Sequence, residues 1–274
     1  MRAIVTGAGS SFFWALRFLP RARREAIYAV YAFCRTVDDI ADTAGTVEAK
    51  LDALAQWRME IQRLFQSAPT HMVTRALVDP VTRFTLHEQD FLAVIDGIVM
   101  DASGQMCAPA LLDLELYCRR AAGAVGMLSA SIFGVRRPEG RSLALSLGQA
   151  LQYVNFLRDF VEDADQGRLY VPREVLAAAG ITTRDPHAFL ADPKLPIVAA
   201  DMARMAEERF RAARRVLKVV PRGPARPARI MLETYTRLLE RLMARGFAPE
   251  NLGKRVRLGT LERLGIALRV VFFN

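Results

Sequence analysis

The chain has 274 residues, 52% of them hydrophobic, and a formal net charge of +9, which is enough apolar material for a large core and excludes a disordered protein. Its longest apolar stretches, such as FLAVIDGIVM at 91–100, are interrupted by charge and fall short of the ~18–20 residues that a membrane span needs. Cys34, Cys107 and Cys118 lack CxxC spacing and nearby histidines, which argues against a disulfide framework and a zinc site; they read as small buried hydrophobes.

The N-terminus carries Arg2 and a short apolar stretch, with no sustained hydrophobic region ahead of a small-residue cleavage site, so a cytoplasmic protein is expected. AIVTGAGSS at 3–11 resembles a strand entering a glycine-rich nucleotide loop, but position 12 is Phe rather than Gly and no βαβ continuation follows. Ser10 and Ser11 read instead as caps before FFWALRFLP. Apolar residues at three- and four-residue spacing then predict helices over 22–41, 47–66, 110–133, 141–164, 197–219 and 228–245. Proline and glycine punctuate the gaps, at Gly45, Pro80, Pro109, RRPEG (136–140) and PRGPARP (221–227). Alternating strand patterns are scarce, and no linker or fixed-period repeat divides residues 1–274. A single all-α domain is the expectation.

The first of these helices ends in FCRTVDDIADTAG, residues 33–45. At about 100° per residue, Asp38 and Asp42 lie about 40° apart on one face, with Arg35 close by and Asp39 turned away. Like charges at that spacing repel, so the pair calls for a compensating cation. A second acidic stripe follows an apolar helical run at 152–172, where Asn155, Asp159 and Asp163 recur every four residues behind Gln152, with Glu162 beside them. Two such stripes suggest two helices facing each other across a cavity with divalent cations between. Oxygen ligands from Asp and Asn suit Mg²⁺, which is commonly completed by water and substrate phosphates. A solvated surface is the plain alternative for either stripe.

The positive charge is concentrated late: residues 201–274 hold 17 Lys and Arg against 7 Asp and Glu. Such a surface can attract anionic lipid, nucleic acid or a phosphorylated substrate. No zinc-finger, basic-zipper or ribonucleoprotein pattern accompanies the arginines, so nucleic acid is not an expected partner. His71, His87 and His187 are scattered, without metal-binding spacing.

Three stretches, SSFFWALRFLPRARREAIYAVYAFCRTVDDIAD (10–42), LYCRRAAGAVGMLSASIFG (116–134) and NFLRDFVEDADQGRLYVP (155–172), resemble the signature blocks of the squalene/phytoene synthase family. The first two most resemble its bacterial branch that makes presqualene diphosphate for hopanoids. The resemblance implies an all-α isoprenoid synthase bundle with a central cavity, and the head-to-head joining of two farnesyl diphosphates to presqualene diphosphate. Phytoene, dehydrosqualene or hydroxysqualene synthesis are the alternatives within the family, and a non-catalytic membrane-associated relative is another.

By the same resemblance, Asp38, Asp42, Asn155, Asp159 and Asp163 would hold several Mg²⁺ ions with the substrate diphosphates. Ser11, Arg35, Gln152, Arg158, Tyr235 and Arg255 would contact substrate, and Tyr117 would face the reacting carbons. For Arg35 and Arg158, pairing with the motif carboxylates is the competing reading. A tunnel lined by residues such as Phe12, Phe13, Met127, Leu128 and Phe156 would take the prenyl tails, although each also fits ordinary core packing. The leading segment before Ser10 is shorter than in most of the family. Neither the C-terminal membrane helix nor the reductive step of eukaryotic squalene synthases is visible, so NADPH is not expected. Peripheral contact with the inner membrane face, through the basic C-terminal third, is a further expectation; the sequence sets no oligomeric state.

Overall fold

The computed structural model describes residues 19–273, Phe273 by its backbone only. Ser11, Phe12 and Phe13 lie outside the described residues, as does AIVTGAGSS. Helix α1, Arg21–Asp42, buries Ala26, Ile27, Val30, Phe33, Val37 and Ala41 along one stripe. It stops at Thr43, whose backbone and hydroxyl both donate to the Asp39 carbonyl. Helix α2, Val47–Phe65, starts from Thr46, whose side chain accepts from the Ala49 amide, and Lys50 donates to the Ala41 carbonyl at 2.7 Å, tying α2 to the end of α1.

Helix α3, Glu88–Ala102, is a finding that the periodicity did not predict. Its FLAVIDGIVM core is apolar on nearly all sides because the helix is buried between neighbours, so it shows little of the amphipathic contrast that marks a surface helix. Phe91 meets Phe33 of α1 edge-on, with ring centroids 5.3 Å apart.

The helix expected over 110–133 is interrupted. Helix α4, Leu111–Cys118, passes through a π-helical turn at Arg119–Gly123 into α5, Ala124–Phe133, which Gly134 ends at φ 82°. The helix expected over 141–164 is likewise split, into α6, Arg137–Arg158, and α7, Phe160–Asp165. Asp159, at φ −106° and ψ 17°, is the break. Its amide still bonds the Asn155 carbonyl at 2.9 Å and its carbonyl still accepts from Asp163 at 2.8 Å, so the chain bends without losing its stripe.

Helix α8 is Leu195–Leu217 and helix α9 is Arg222–Arg245; α9 starts earlier than predicted because Pro224 fits a first turn that needs no amide donor. Helix α10, Thr260–Phe273, packs on α9 and completes the bundle. Among the described residues there is no strand, only a bridge between Cys107 and Leu169 that brings Tyr170 beside the end of α3. The core, from Ala26 to Val270, is one continuous apolar cluster.

The helices around the centre approach unusually closely at glycines. A Cβ on Gly97 would lie 2.9 Å from the Ala121 amide nitrogen, one on Gly126 2.9 Å from the Ala144 Cβ, and one on Gly148 3.0 Å from the Ala122 carbonyl oxygen. The contacts of Gly97 and Gly148 lock α3 and α6 against the π turn, and that of Gly126 locks α5 against α6. Gly97→Ala is therefore expected to cost about 1–3 kcal/mol in urea unfolding, since backbone must shift to admit the methyl. Gly265→Ala, on α10 with nothing within 4 Å, should instead gain up to about 1 kcal/mol from helix propensity.

Candidate active site

One face of α1 presents Tyr31, Cys34, Arg35, Asp38 and Asp42, spaced by three and four residues. The α6–α7 pair presents Gln152, Asn155, Phe156, Asp159, Asp163 and Gln166 in the same way, with Arg158 and Glu162 at its margin. Both faces line a single cavity of about 510 Å³, with Val94, Ile98 and Asp101 of α3, Tyr117, and Arg168, Tyr170 and Arg255 completing its wall. The two acidic stripes therefore meet, and the solvated-surface alternative falls. Asp39 is not on the wall; it pairs with Arg35 at 2.6 Å on the outer side.

The carboxylates fall into two electrostatic groups. Arg168 donates to Asp42 at 3.0 Å, across a sequence separation of 126 residues, and Arg158 pairs with its neighbour Asp159 through two of its nitrogens, Nε and Nη2. Arg35 reaches Asp38 only at 3.7 Å. Burial in the cleft, with the nearby Asp42, pushes Asp38 up to about 6. Burial and Asp159 push Asp163 further, to about 8. Near them the Asn155 Oδ1 is buried without a hydrogen-bond partner. This pocket of under-neutralised oxygen is what a hard divalent cation would relieve, so the donor set fits Mg²⁺. Among the described residues no three carboxylate, histidine or cysteine side chains converge into a finished metal site. Ligands from outside the chain would have to complete it.

The other expected residues separate. Arg35, Arg158 and Arg255 line the polar cavity, and the first two are engaged with carboxylates. Tyr235 lies on the wall of a second, largely apolar cavity of about 350 Å³. Burial alone would weaken the Arg158 charge, but Asp159 and the Tyr235 hydroxyl beside it more than restore it. The two cavities share Tyr31, Cys34, Ala121, Val125, Gln152 and Asn155, so one opens into the other. Met127 and Leu128 are not on either wall, because α5 turns Val125, Gly126, Ser129 and Ala130 inward instead. Lys254 is held at the surface by Asn251.

Sequence reasoning passed over Asp101, Arg168 and Tyr170. Val94, Ile98 and Asp101 recur at four and three residues, a helical stripe ending in an acid, which the unrecognised α3 concealed. Tyr170 donates to Asp101 Oδ1 at 2.6 Å, and Tyr117 donates to Oδ2 at 2.8 Å. Tyr170 stacks on Phe156 with ring centroids 4.5 Å apart and planes 12° apart.

Residues 5–262 match the family model described as squalene/phytoene synthase. The chain belongs to the squalene/phytoene synthase family. It is similar to presqualene diphosphate synthases of Sinorhizobium fredii and Rhodopseudomonas palustris, each 44% identical. The first alignment covers 96% of this chain and 94% of its relative, the second 94% of each. Among solved structures, the squalene synthase HpnC from Alicyclobacillus acidocaldarius is 30% identical, with a TM-score of 0.80 over 90% of this chain and 93% of that one.

The raised carboxyls carry a consequence for stability. Asp163 titrates far above its unfolded value of about 3.9, so its contribution to the fold is fully present below that value and is lost as pH rises through about 8. Asp163→Asn removes the loss. The metal-free variant is expected to resist urea better than wild type at pH 8.5, by roughly 1–2 kcal/mol, with the gap closing toward pH 5. Equal midpoints at both pH values would show that the carboxylate is not under strain.

Proposed function

We propose that this chain condenses two farnesyl diphosphates head to head, giving presqualene diphosphate and free diphosphate. The observation that carries the reading is the meeting of the α1 and α6–α7 acidic stripes over one polar cavity that opens into an apolar one. Full-length similarity at 44% identity to two presqualene diphosphate synthases favours that product over others in the family.

Asp38, Asp42, Asn155, Asp159 and Asp163 would hold Mg²⁺. When bound, Mg²⁺ supplies charge compensation between carboxylates and diphosphates and Lewis-acid stabilisation of the leaving group. Arg35, Arg158, Arg168 and Arg255 offer planar donors suited to diphosphate oxygens, and those now engaged with aspartates can exchange partners as the metal arrives. Once the C–O bond of the donor breaks, the electron pair leaves with diphosphate and an allylic cation remains. The 2,3 double bond of the acceptor attacks it, and loss of a proton closes the cyclopropane.

The protein's task at that point is to keep water and oxygen nucleophiles away. The apolar cavity, at about 350 Å³, falls in the ordinary range for ligand sites of about 300–1,000 Å³ and offers small residues, Ala121, Gly126, Ala144 and Gly148, where a prenyl tail would lie. Gln152 and Tyr235 stand where polar and apolar walls join. Tyr117, with Tyr170 and Phe156, forms an aromatic wall that can stabilise positive charge without reacting with it. No reductant is required for this product.

The membrane reading remains part of the proposal. Among the described residues no helix is long and apolar enough to cross a membrane. Helix α10 leaves Leu261 and Phe272 on its outer face at 84% and 73% exposure, near the exposed Arg257 and Arg269, a pattern suited to lying on an anionic bilayer that receives a lipid product. Ion pairs of Arg237 and Arg241 with Glu262 hold that helix to α9. Co-sedimentation with anionic vesicles should fall as salt rises; binding indifferent to salt, or absent, would contradict the electrostatic contact.

The activity test is incubation with farnesyl diphosphate and Mg²⁺, with and without NADPH, followed by product identification. Presqualene diphosphate is expected in both arms, and EDTA should abolish it. Asp38→Ala and Asp159→Ala should each lower turnover by at least ~10²-fold with the helical fold intact. Activity near wild type in either variant would refute the assignment of these carboxylates.

A further inference from the structure

Asp101 stands apart from both acidic stripes. It sits at the end of α3, is 8% exposed, and each of its oxygens accepts one phenol proton, from Tyr170 at 2.6 Å and Tyr117 at 2.8 Å. The two rings lie 5.3 Å apart in a stack that continues through Tyr170 to Phe156 at 4.5 Å. Asp101, Tyr117, Tyr170 and Phe156 all border the polar cavity, and Tyr117 and Phe156 stand one helical turn and one residue from Ala121 and Asn155, which line both cavities. The tyrosines come from different elements, α4 and the segment after α7, so three parts of the chain converge on this one carboxylate.

Burying a carboxylate is costly, and a structural tie between helices could be built from neutral groups. Burial, aided by Asp42, leaves the Asp101 carboxyl raised, while the phenol of Tyr170, Arg168 and the phenol of Tyr117 oppose that shift and favour the charged form. A negative charge at this point is useful to a cationic reaction only if the oxygens cannot bond to the cation. A bare carboxylate beside an allylic cation would form an ester and end the cycle. Two phenols donating to it occupy both oxygens, pass electron density into their rings, and put aromatic faces where the oxygen atoms would otherwise be.

We propose that Asp101 is a shielded counter-charge, a positioning residue that orients and enriches the Tyr117–Tyr170 aromatic wall so that an allylic cation is held beside it without being trapped. The inference rests on the reading of the reaction given above. It predicts that the residue governs the fate of the cation after diphosphate has left rather than the binding of substrate.

Asp101→Asn keeps the size of the side chain and removes the charge. With farnesyl diphosphate and Mg²⁺, the variant should keep KM within about threefold of wild type and lose about 10²-fold or more in kcat. A larger share of its released diphosphate should appear with C15 allylic alcohols, in which water has formed the C–O bond and lost a proton, instead of with the cyclopropyl product. The complementary variant, Tyr117→Phe with Tyr170→Phe, leaves the carboxylate bare. It should inactivate during turnover and gain the mass of one farnesyl group on the peptide bearing Asp101, as a carboxylate oxygen bonds C1 and diphosphate departs with the electron pair.

An unchanged ratio of alcohol to cyclopropyl product in Asp101→Asn, with kcat falling only as far as thermal stability falls, would overturn the inference and leave a structural tie. Should Asp101→Asn fail to fold, the double variant decides: turnover without adduct or inactivation overturns the inference. Wild-type enzyme that makes no cyclopropyl product in the parallel assay would overturn the underlying reading itself, and this inference with it.

Discussion

Negative charge crowded into a concave, partly dry surface is the constraint on which this molecule turns. Six carboxylates, Asp38, Asp42, Asp101, Asp159, Glu162 and Asp163, border one cavity. Unit charges ~4 Å apart repel by ~4 kcal/mol even at an effective dielectric constant near 20. They are handled in four ways: Asp42 and Asp159 by arginines, Asp101 by two phenols, Asp38 and Asp163 by carboxyl groups displaced toward protonation, and Glu162 by exposure to solvent. Such an arrangement works against folding, and the rest of the bundle must hold it in place. The close glycine contacts of α3 and α6 with the π turn and of α5 with α6, and the continuous apolar cluster around them, supply that rigidity.

The same arrangement divides the interior by chemistry. Charged oxygen and guanidinium groups are gathered at one end, with an aromatic stack on their wall, and apolar side chains, many of them small, at the other. A molecule with a diphosphate head and a hydrocarbon tail is matched by that polarity in one orientation only. The break of the helix at Asp159 belongs to this division, because it bends the stripe around the cavity while Asn155, Asp159 and Asp163 all remain on its wall. Across the cavity, the π turn follows Tyr117 on the polar wall and carries Ala121, which lines both cavities.

Much of this was legible in the residues. Long amphipathic helices such as α1, α2, α8 and α9 announced themselves by their periodicity, and the acidic stripes by their four-residue spacing. Helix α3 did not, because a helix buried on most sides has little polar face to contrast with its apolar one, and Asp101 was lost with it. The interruptions at Arg119–Gly123 and Asp159 were also hidden: neither contains proline, and both arise from how the helix meets its neighbours. Arg168 and Tyr170 sit within a quoted motif, yet only the bridge between Cys107 and Leu169 reveals which carboxylates they reach. Tunnel-lining residues fared worst. Met127 and Leu128 lie on neither wall, because the face that α5 turns to the apolar cavity carries Val125, Gly126, Ser129, Ala130 and Phe133. For Arg35 and Arg158, pairing with carboxylates describes the protein as it stands, and substrate contact remains a matter of exchange during binding.

The central claim is that the cleft is a half-built cation site that diphosphate completes. Titration of Mn²⁺ followed by electron paramagnetic resonance, with and without a non-hydrolysable farnesyl thiolodiphosphate, tests it directly. Weak Mn²⁺ binding by the protein alone, strengthened at least ~10-fold by the thiolodiphosphate and matched by an equal effect of Mn²⁺ on thiolodiphosphate affinity, is the predicted result. Tight metal binding without the diphosphate, or thiolodiphosphate affinity unchanged by removing the metal, would contradict it.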